Sequence, residues 1–509
     1  MPPGTDLRDW ARAEPHRPAL AIGDATLDYG GLEARANRWA RLFRRHGLVR
    51  GDHVAVMLPN CVDGVAAVWG AYRAGLYHTP IATTLTATEA GYVVDNCRAR
   101  IAIVDRRHEA LLPGMRAAAG GCTHWLSHGG PIDGLPALEA ALEAPPAGPL
   151  EDETRGALVL YTSGTTRTPK GGWRPLPDRA TVGPPSFAGD LLAIFGFDAQ
   201  VRYLSTAPLY HAAPLRFTLA VTAAGGFVRA LGRFDAATAL EVLAHERITH
   251  SQWVPTMFQR MLALPDEVRR AFAAPAHRLA IHAAAPCPQP VKRAMIDWWG
   301  PILYEYYSGT EGVGLTGIDS ADWLAHPGSV GRTIKGVPHV VGDDGAELPP
   351  GRIGRIFFSG VPRFEYFGEP AKTAGRTLAN GWQTLGDIGY VDADGFMYLT
   401  DRMDDMIISG GVNVYPQEIE EAVMELAEVV DCGAVGVEDA RFGERAVAFV
   451  VPRAGTPREG FAERVAAHCE RRLGRIKRPE RVHVVDELPR SATGKLLRRE
   501  LRQRHAAAG

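Results

Sequence analysis

Residues 161–172 read YTSGTTRTPKGG, a run of hydroxyl-bearing and small side chains closed by a lysine. Small residues free the backbone to curl. Main-chain N–H groups and the hydroxyls of Thr162, Ser163, Thr165 and Thr166 can then converge, around Gly164, on phosphate oxygens. Lys170 adds a point charge, and the chemistry predicted is the cradling of a polyphosphate. The spacing is not that of a Walker A loop, which needs Gly before the lysine and Ser or Thr after it; Pro169 and Gly171 occupy those places. GVGLTG, at Gly312, Gly314 and Gly317, does fit the dinucleotide spacing G-x-G-x-x-G. The next segment of chain, IDSADWLAHPG, is too short and broken for the helix whose N-terminus must meet a pyrophosphate.

A phosphate loop needs a strand to deliver it, and the apolar run 157–162 is that strand. Ligands of open α/β sheets lie where strands end and loops begin. Upstream, Leu32, Ala36, Trp39 and Phe43 recur at helical spacing, Gly47 and Gly51 break the pattern, and HVAVML (53–58) reads as a buried strand. A helix over 63–75 and a strand over 101–105 come next. This alternation predicts βαβ units and mostly parallel sheet, an α/β fold class. LAIHAAAP (279–286) and ILYEYYSG (302–309) are further strands ending in small residues. Between 355 and 400, GRIFFSG and GFMYLTD predict a β-ribbon or barrel subdomain with Gly and Asp turns. DRMDD (401–405) interrupts the pattern. We expect a large N-terminal domain, 1–402, and a small α+β domain, 403–509, with Pro416 at the first position of a helix, an apolar face at Ile419, Val423 and Leu426, and strands over 446–451 and 481–485.

Composition narrows the partners. Hydrophobic residues are 46% and charged residues 22% of 509, and 56 basic against 58 acidic side chains leave a net charge of -2. With no positive surplus to neutralise a phosphate backbone, no nucleic-acid partner is expected. The apolar run 217–228 is about half a membrane span and is flanked by Arg216 and Arg229, so a buried helix is expected and no membrane span. Cys61, Cys97, Cys122, Cys287, Cys432 and Cys469 form no C-x-x-C or Cys/His cluster, and the N-terminus has no signal-peptide pattern; a cytoplasmic protein is expected. Nothing in the sequence marks an oligomeric state.

Five separated stretches carry a family resemblance. They are the opening loop, PLYHAAP (208–214), YYSGTEG (306–312), GWQTLGDIGYVDADGFMYLTDRMDDMIISGGVNVYPQEIE (381–420) and PRSATGKLLRREL (489–501). In this order they resemble the adenylate-forming superfamily of acyl-CoA synthetases, peptide-synthetase adenylation domains and luciferases. The resemblance spans essentially the whole chain and is nearest in motif pattern to bacterial acyl-CoA synthetases. It implies ATP as substrate, with Glu311 as the Mg2+ ligand, Thr310 bonding near the α-phosphate, and Tyr307 stacking on adenine against the wall 283–286 that includes Ala284. Asp387 would hold the ribose hydroxyls and Arg402 would add a nucleotide contact. Lys495 would bridge the substrate carboxylate and the α-phosphate, reaching across the domain boundary. The small domain would be mobile, turning about Asp404. Gly410 and Gly411 would line a pantetheine channel, and Lys477 and Arg478 would meet the CoA phosphates. His211 would sit at the mouth of the acyl site, orienting the carboxylate or gating the channel.

The implied activity is an AMP-forming carboxylic acid ligase: acyl-AMP and pyrophosphate form first, and the acyl group then passes to a nucleophile. CoA, giving an acid–thiol ligase, is the leading acceptor. An amine, giving an amide bond synthetase, is the alternative, because the residues that build acyl-AMP do not identify what attacks it. A carrier-dependent adenylation domain and a non-catalytic ATP-binding regulator fit less well: no carrier domain follows Lys495, and a regulator has no use for that lysine. Arg167 stands where the family usually has Gly. It either supplies an extra cation to the β/γ-phosphates or points into solvent.

Overall fold

A computed structural model describes residues 4–132, 134–143, 148–162, 169–491 and 494–508. The chain forms two compact units. One comprises residues 1–253, 270–280 and 364–373; the other comprises 254–269, 281–363 and 374–509. Helices and strands are mixed in both units, as the expected α/β class requires.

In the first unit a parallel sheet runs in the order His124–His128, Ala99–Asp105, His53–Met57, Tyr77–Pro80, Ala157–Leu158. The strand His53–Met57 is buried along its whole length, as a parallel strand covered on both faces must be. The expected helices lie at Tyr29–Arg45 and Val62–Arg73. Leu32, Ala36, Trp39 and Phe43 are all buried, and Asp28 caps the first of these helices by accepting from the Gly31 N–H at 2.7 Å. Gly70 makes their close packing possible: a Cβ there would meet the Trp39 side chain and the Ala36 carbonyl. A second group of strands places Arg202–Ser205 between Phe227–Ala230 and His250–Trp253, all parallel, with Pro18–Ile22 added beside Phe227–Ala230.

The structure corrects two expectations. The run 157–162 is not one strand. Ala157–Leu158 joins the parallel sheet, whereas Leu160–Thr162 turns away to pair antiparallel with Lys170–Trp173, which pairs in turn with Glu365–Tyr366. Gly171 permits this ribbon, because a Cβ there would strike the Tyr161 ring. The apolar run 217–228 is a buried helix only as far as Ala223, in Ala212–Ala223. Gly225, at φ +86°, then breaks it, and Phe227–Ala230 continues as strand.

The second unit is built on antiparallel strands. Leu303–Tyr307, Leu315–Asp319, Ser329–Lys335, Phe396–Arg402, Asp387–Val391, Gly354–Ser359 and Val337–Val341 pair successively in that order. Gly312, Gly314 and Gly317 lie before and within a strand that leads only to the short helix Ser320–Ala325, so the dinucleotide reading of these glycines has no helix to support it. Toward the C-terminus, Val429–Asp439 and Gly443–Pro452 form a long hairpin, and the free edge of Gly443–Pro452 takes Ile407–Ser409 at its start, followed outward by Val412–Val414, and Arg481–Val484 in parallel farther along. Pro416 opens the helix Pro416–Met424, whose Ile419 and Val423 pack with Val465 and Cys469 of Phe461–Arg472. Among the described residues no helix is long and apolar enough to cross a membrane.

Candidate active site

Tyr307 ends the strand Leu303–Tyr307 and Asp387 opens Asp387–Val391. The Tyr307 hydroxyl donates to Asp387 Oδ2 at 2.6 Å. Arg402, paired with Asp387 in the strand register, places its Nε 3.2 Å from Oδ1. One carboxylate is thus held from both sides, and at 5% exposure it has little water to compete with. Burial, followed by the neighbouring Asp387 charge, pushes the Tyr307 phenol well above its usual range, so it is a fixed donor. Glu305 shares a strand face with Tyr307. It is anchored by the fully buried Lys292 at 2.5 Å, whose ammonium also lies over the Trp323 ring. A buried pair of this kind adds little net stability but fixes the strand, because neither charge can be left alone.

The turn after Tyr307 is closed by a bond from Ser308 Oγ to the Gly314 carbonyl at 2.8 Å. Within it Thr310 Oγ1 donates to Glu311 Oε2 at 3.0 Å. No cluster of three or more His, Cys, Asp or Glu able to hold a metal exists among the described residues. A single oriented carboxylate fits Mg2+, which commonly takes one or two carboxylates and completes its shell with phosphate and water. Ala284 is exposed and has φ +80°, a left-handed conformation that costs a non-glycine residue energy. Such strain persists where surrounding structure imposes it, often at ligand sites.

Lys495 is carried by a tight turn. Its N–H donates to Ser491 Oγ at 3.1 Å and its carbonyl accepts from the Ser491 N–H at 2.9 Å. Arg490 clamps the turn through Gly494 O at 2.7 Å while binding both Asp431 oxygens, at 3.0 and 2.6 Å. Gly494, at φ +75°, passes so near Thr256 that a Cβ would meet its hydroxyl. The lysine side chain lies within electrostatic reach of Arg402, Asp405, Asp387 and Arg498. Burial, then the Arg402 charge, lowers its pKa to about 8. Arg498, one turn on, bonds Glu420 Oε1 at 2.5 Å and faces Asp405 at 3.5 Å. Tyr307, Glu311, Asp387, Arg402 and Lys495 therefore form one electrostatic neighbourhood, and Thr310 joins it through Glu311.

Other predicted residues lie elsewhere. Ser163, Gly164, Thr165, Thr166 and Arg167 fall outside the described residues, as does the Thr162 side chain. In the first unit Lys170 lies over the Tyr366 ring, 5.7 Å from its centroid. His211 precedes the helix Ala212–Ala223. Its ring is 4.5 Å from that of Tyr210, its Nε2 is buried with no hydrogen-bond partner among the described residues, and burial lowers its pKa to about 4. Asn60 steadies this stretch, accepting from the Leu209 N–H and donating to the Leu231 carbonyl, both at 2.7 Å. In the second unit Gly410 and Gly411 have φ of +57° and +80°, and Gly410 lies under Phe442. Lys477 binds both Glu418 oxygens at 2.8 Å, and Arg478 caps the helix Phe461–Arg472 through the Glu470 and Leu473 carbonyls. Both cations are thus engaged locally rather than in the Lys495 neighbourhood.

Sequence reasoning missed Asp405, Arg498 and Arg376, which surround the predicted residues. Arg498 lay in plain view beside Lys495; only the fold brings Glu420, some eighty residues earlier, to meet it.

The AMP-binding enzyme model matches residues 7–363, and that of the AMP-binding enzyme C-terminal domain matches 418–495. A long-chain-fatty-acid–CoA ligase of Mycobacterium tuberculosis, FadD13, is 30% identical over 99% of this chain and 98% of its own. A feruloyl-CoA synthase of an Amycolatopsis species is 32% identical over 97% of each chain. The crystal structure of ATP-bound MatB from Rhodopseudomonas palustris superposes with a TM-score of 0.84 at 28% identity, covering 99% of both chains. The chain belongs to the AMP-binding enzyme family.

Proposed function

We propose that the protein is an AMP-forming acid–thiol ligase that activates a fatty or aryl carboxylic acid with ATP and transfers the acyl group to CoA. The observation that carries this reading is the approach of Lys495 to the Tyr307–Asp387–Arg402 cluster. Two anions, carboxylate and triphosphate, must meet, and a cation between them reduces their repulsion and fixes their geometry. In the first step a carboxylate oxygen attacks the α-phosphorus and pyrophosphate leaves. In the second the CoA thiolate attacks the acyl carbon and AMP leaves, with the thiol proton passing to solvent.

In this reading Tyr307 and Ala284 flank the adenine, Asp387 and Arg402 hold the ribose side, and Thr310 binds near the α-phosphate. Residues 162–166 and Lys170 hold the β/γ-phosphates, and Glu311 holds Mg2+. When bound, the ion neutralises phosphate charge. His211 lies at the acyl site. Residues 403–509 move as a small domain about Asp404 relative to 1–402, so that Gly410, Gly411 and Arg478 serve the CoA step. Unbridged cysteines fit a cytoplasmic enzyme. Two named relatives act on CoA, which favours a thiol acceptor over an amine.

The test offers purified protein ATP, Mg2+ and a panel of fatty and aryl acids, with CoA and amines supplied separately and together. Acid-dependent pyrophosphate release with acyl-CoA as product is expected. Amide formed to the exclusion of thioester would transfer the assignment to an amide bond synthetase, and no pyrophosphate with any acid would end it.

A further inference from the structure

Arg376 fastens the turn that carries Asp404 to the loop that carries Asp387. Its Nη2 lies 2.8 Å from Asp404 Oδ2. Its guanidinium lies against the backbone of Gly386, which has φ +89°, and a Cβ built at 386 would fall on that guanidinium. Glycine is required there both for its backbone angle and for the space it leaves. Backbone bonds complete the fastening: the Thr384 N–H donates to the Arg376 carbonyl at 3.0 Å, and the Met403 N–H donates to the Gly386 carbonyl at 2.8 Å. Thr384 Oγ1 accepts from the Gly386 N–H at 2.9 Å and donates to the Ile356 carbonyl at 2.6 Å. The segment 402–406 is thus held to 384–387 by Arg402 on Asp387 and by the Met403 N–H on the Gly386 carbonyl, and Arg376, seated against Gly386, adds a third tie through Asp404. The exposures are unequal: the Arg376 side chain is 16% exposed and that of Asp404 45%. Water can compete at the aspartate, so the pair is able to open while the arginine keeps its seat.

We propose that Arg376 is a positioning residue, a clasp that keeps the turn at Asp404 in the posture in which Lys495 faces Asp387. It must open before the segment beyond Asp404 takes up a second posture. The inference rests on the reading of Asp404 as the hinge.

Hydrogen–deuterium exchange on the full-length protein tests the clasp without any substrate. Arg376→Ala should quicken amide exchange over 403–411 and 494–497 by about three- to fivefold, the opening expected from a half-exposed ion pair. Exchange in Gly443–Pro452 should stay unchanged, and Arg376→Lys should restore most of the protection. With dodecanoic or ferulic acid, adenylation by Arg376→Ala should fall by a similar factor, whereas conversion of supplied acyl-AMP and CoA to acyl-CoA should hold or rise. Unchanged exchange, exchange raised equally across the core strand, or two half-reactions falling together would overturn the clasp. Asp404→Pro separates the two ideas. If it spares both half-reactions, the hinge reading fails. If it divides them while Arg376→Ala does not, the hinge stands and the clasp fails.

Discussion

The charge on Lys495 should set the alkaline limit of adenylation. Its ammonium is displaced from the ordinary 10.5 to about 8, first by burial and then by Arg402. That displacement corresponds to roughly 3 kcal/mol of lost preference for the charged form. The sign is direct: the active species is the protonated one, so activity is full well below pH 8 and declines above it. About nine-tenths of the enzyme carries the charge at pH 7 and about one-tenth at pH 9. Acid-dependent pyrophosphate release, measured as kcat/KM for ATP from pH 6 to 10, should therefore fall by nearly tenfold between pH 7 and 9. ATP binding brings negative charge to the lysine, so the kcat profile should break at higher pH than kcat/KM. Lys495→Ala should lower the rate by about 10² to 10³ and flatten the profile. Lys495→Arg, which stays charged, should keep part of the rate without the alkaline fall. A wild-type profile flat to pH 9.5, or a Lys495→Ala enzyme with undiminished rate, would refute the role given to this residue.

Removing the Tyr307 hydroxyl, whose bond to Asp387 measures 2.6 Å, should weaken ATP binding by about 2 kcal/mol in Tyr307→Phe, read as a raised KM for ATP with the KM for the acid unchanged. His128 lies 2.8 Å from Asp105 and 3.4 Å from Asp63; burial opposes its charge, yet bonds to both carboxylates outweigh that and hold its pKa at about 9. Because this folded value exceeds the unfolded one near 6.5, the stabilisation, roughly 3 kcal/mol, is complete below pH 6.5 and is lost as pH rises through 9. Thermal melts at pH 7 and pH 10 should show that loss in the wild type and a smaller one in His128→Gln; equal losses would contradict it. Ala284→Gly should raise stability by roughly 1 kcal/mol in urea unfolding by removing the cost of a left-handed alanine, and a variant no more stable than the parent would show that no strain is stored there.

Local pattern was most legible where one rule acts alone. The stripe Leu32, Ala36, Trp39, Phe43 and the all-buried strand His53–Met57 arise from period and apolarity. The run 157–162 misled because periodicity does not show that a strand changes partners midway; that depends on Gly171 leaving room beneath Tyr161, a contact made only in three dimensions. The strand Val429–Asp439 was not anticipated, since the glycines and acids of VVDCGAVGVED dilute its apolar signal, and its pairing with Gly443–Pro452 supplies the stability that propensity does not. In the site, Tyr307, Asp387 and Lys495 were legible as parts of motifs. Their mutual arrangement was not, nor were Arg376 and Arg498, whose partners lie 28 and 78 residues away in sequence.

The central claim is that a carboxylate oxygen becomes bonded to the α-phosphorus of ATP. A turned-over acid labelled with 18O in its carboxylate, incubated with ATP, Mg2+ and CoA, tests it directly. Attack at α-phosphorus followed by cleavage of the acyl C–O bond must leave one 18O in AMP and none in pyrophosphate. Label found in inorganic phosphate or pyrophosphate, or acyl-CoA formed with unlabelled AMP, would contradict the account.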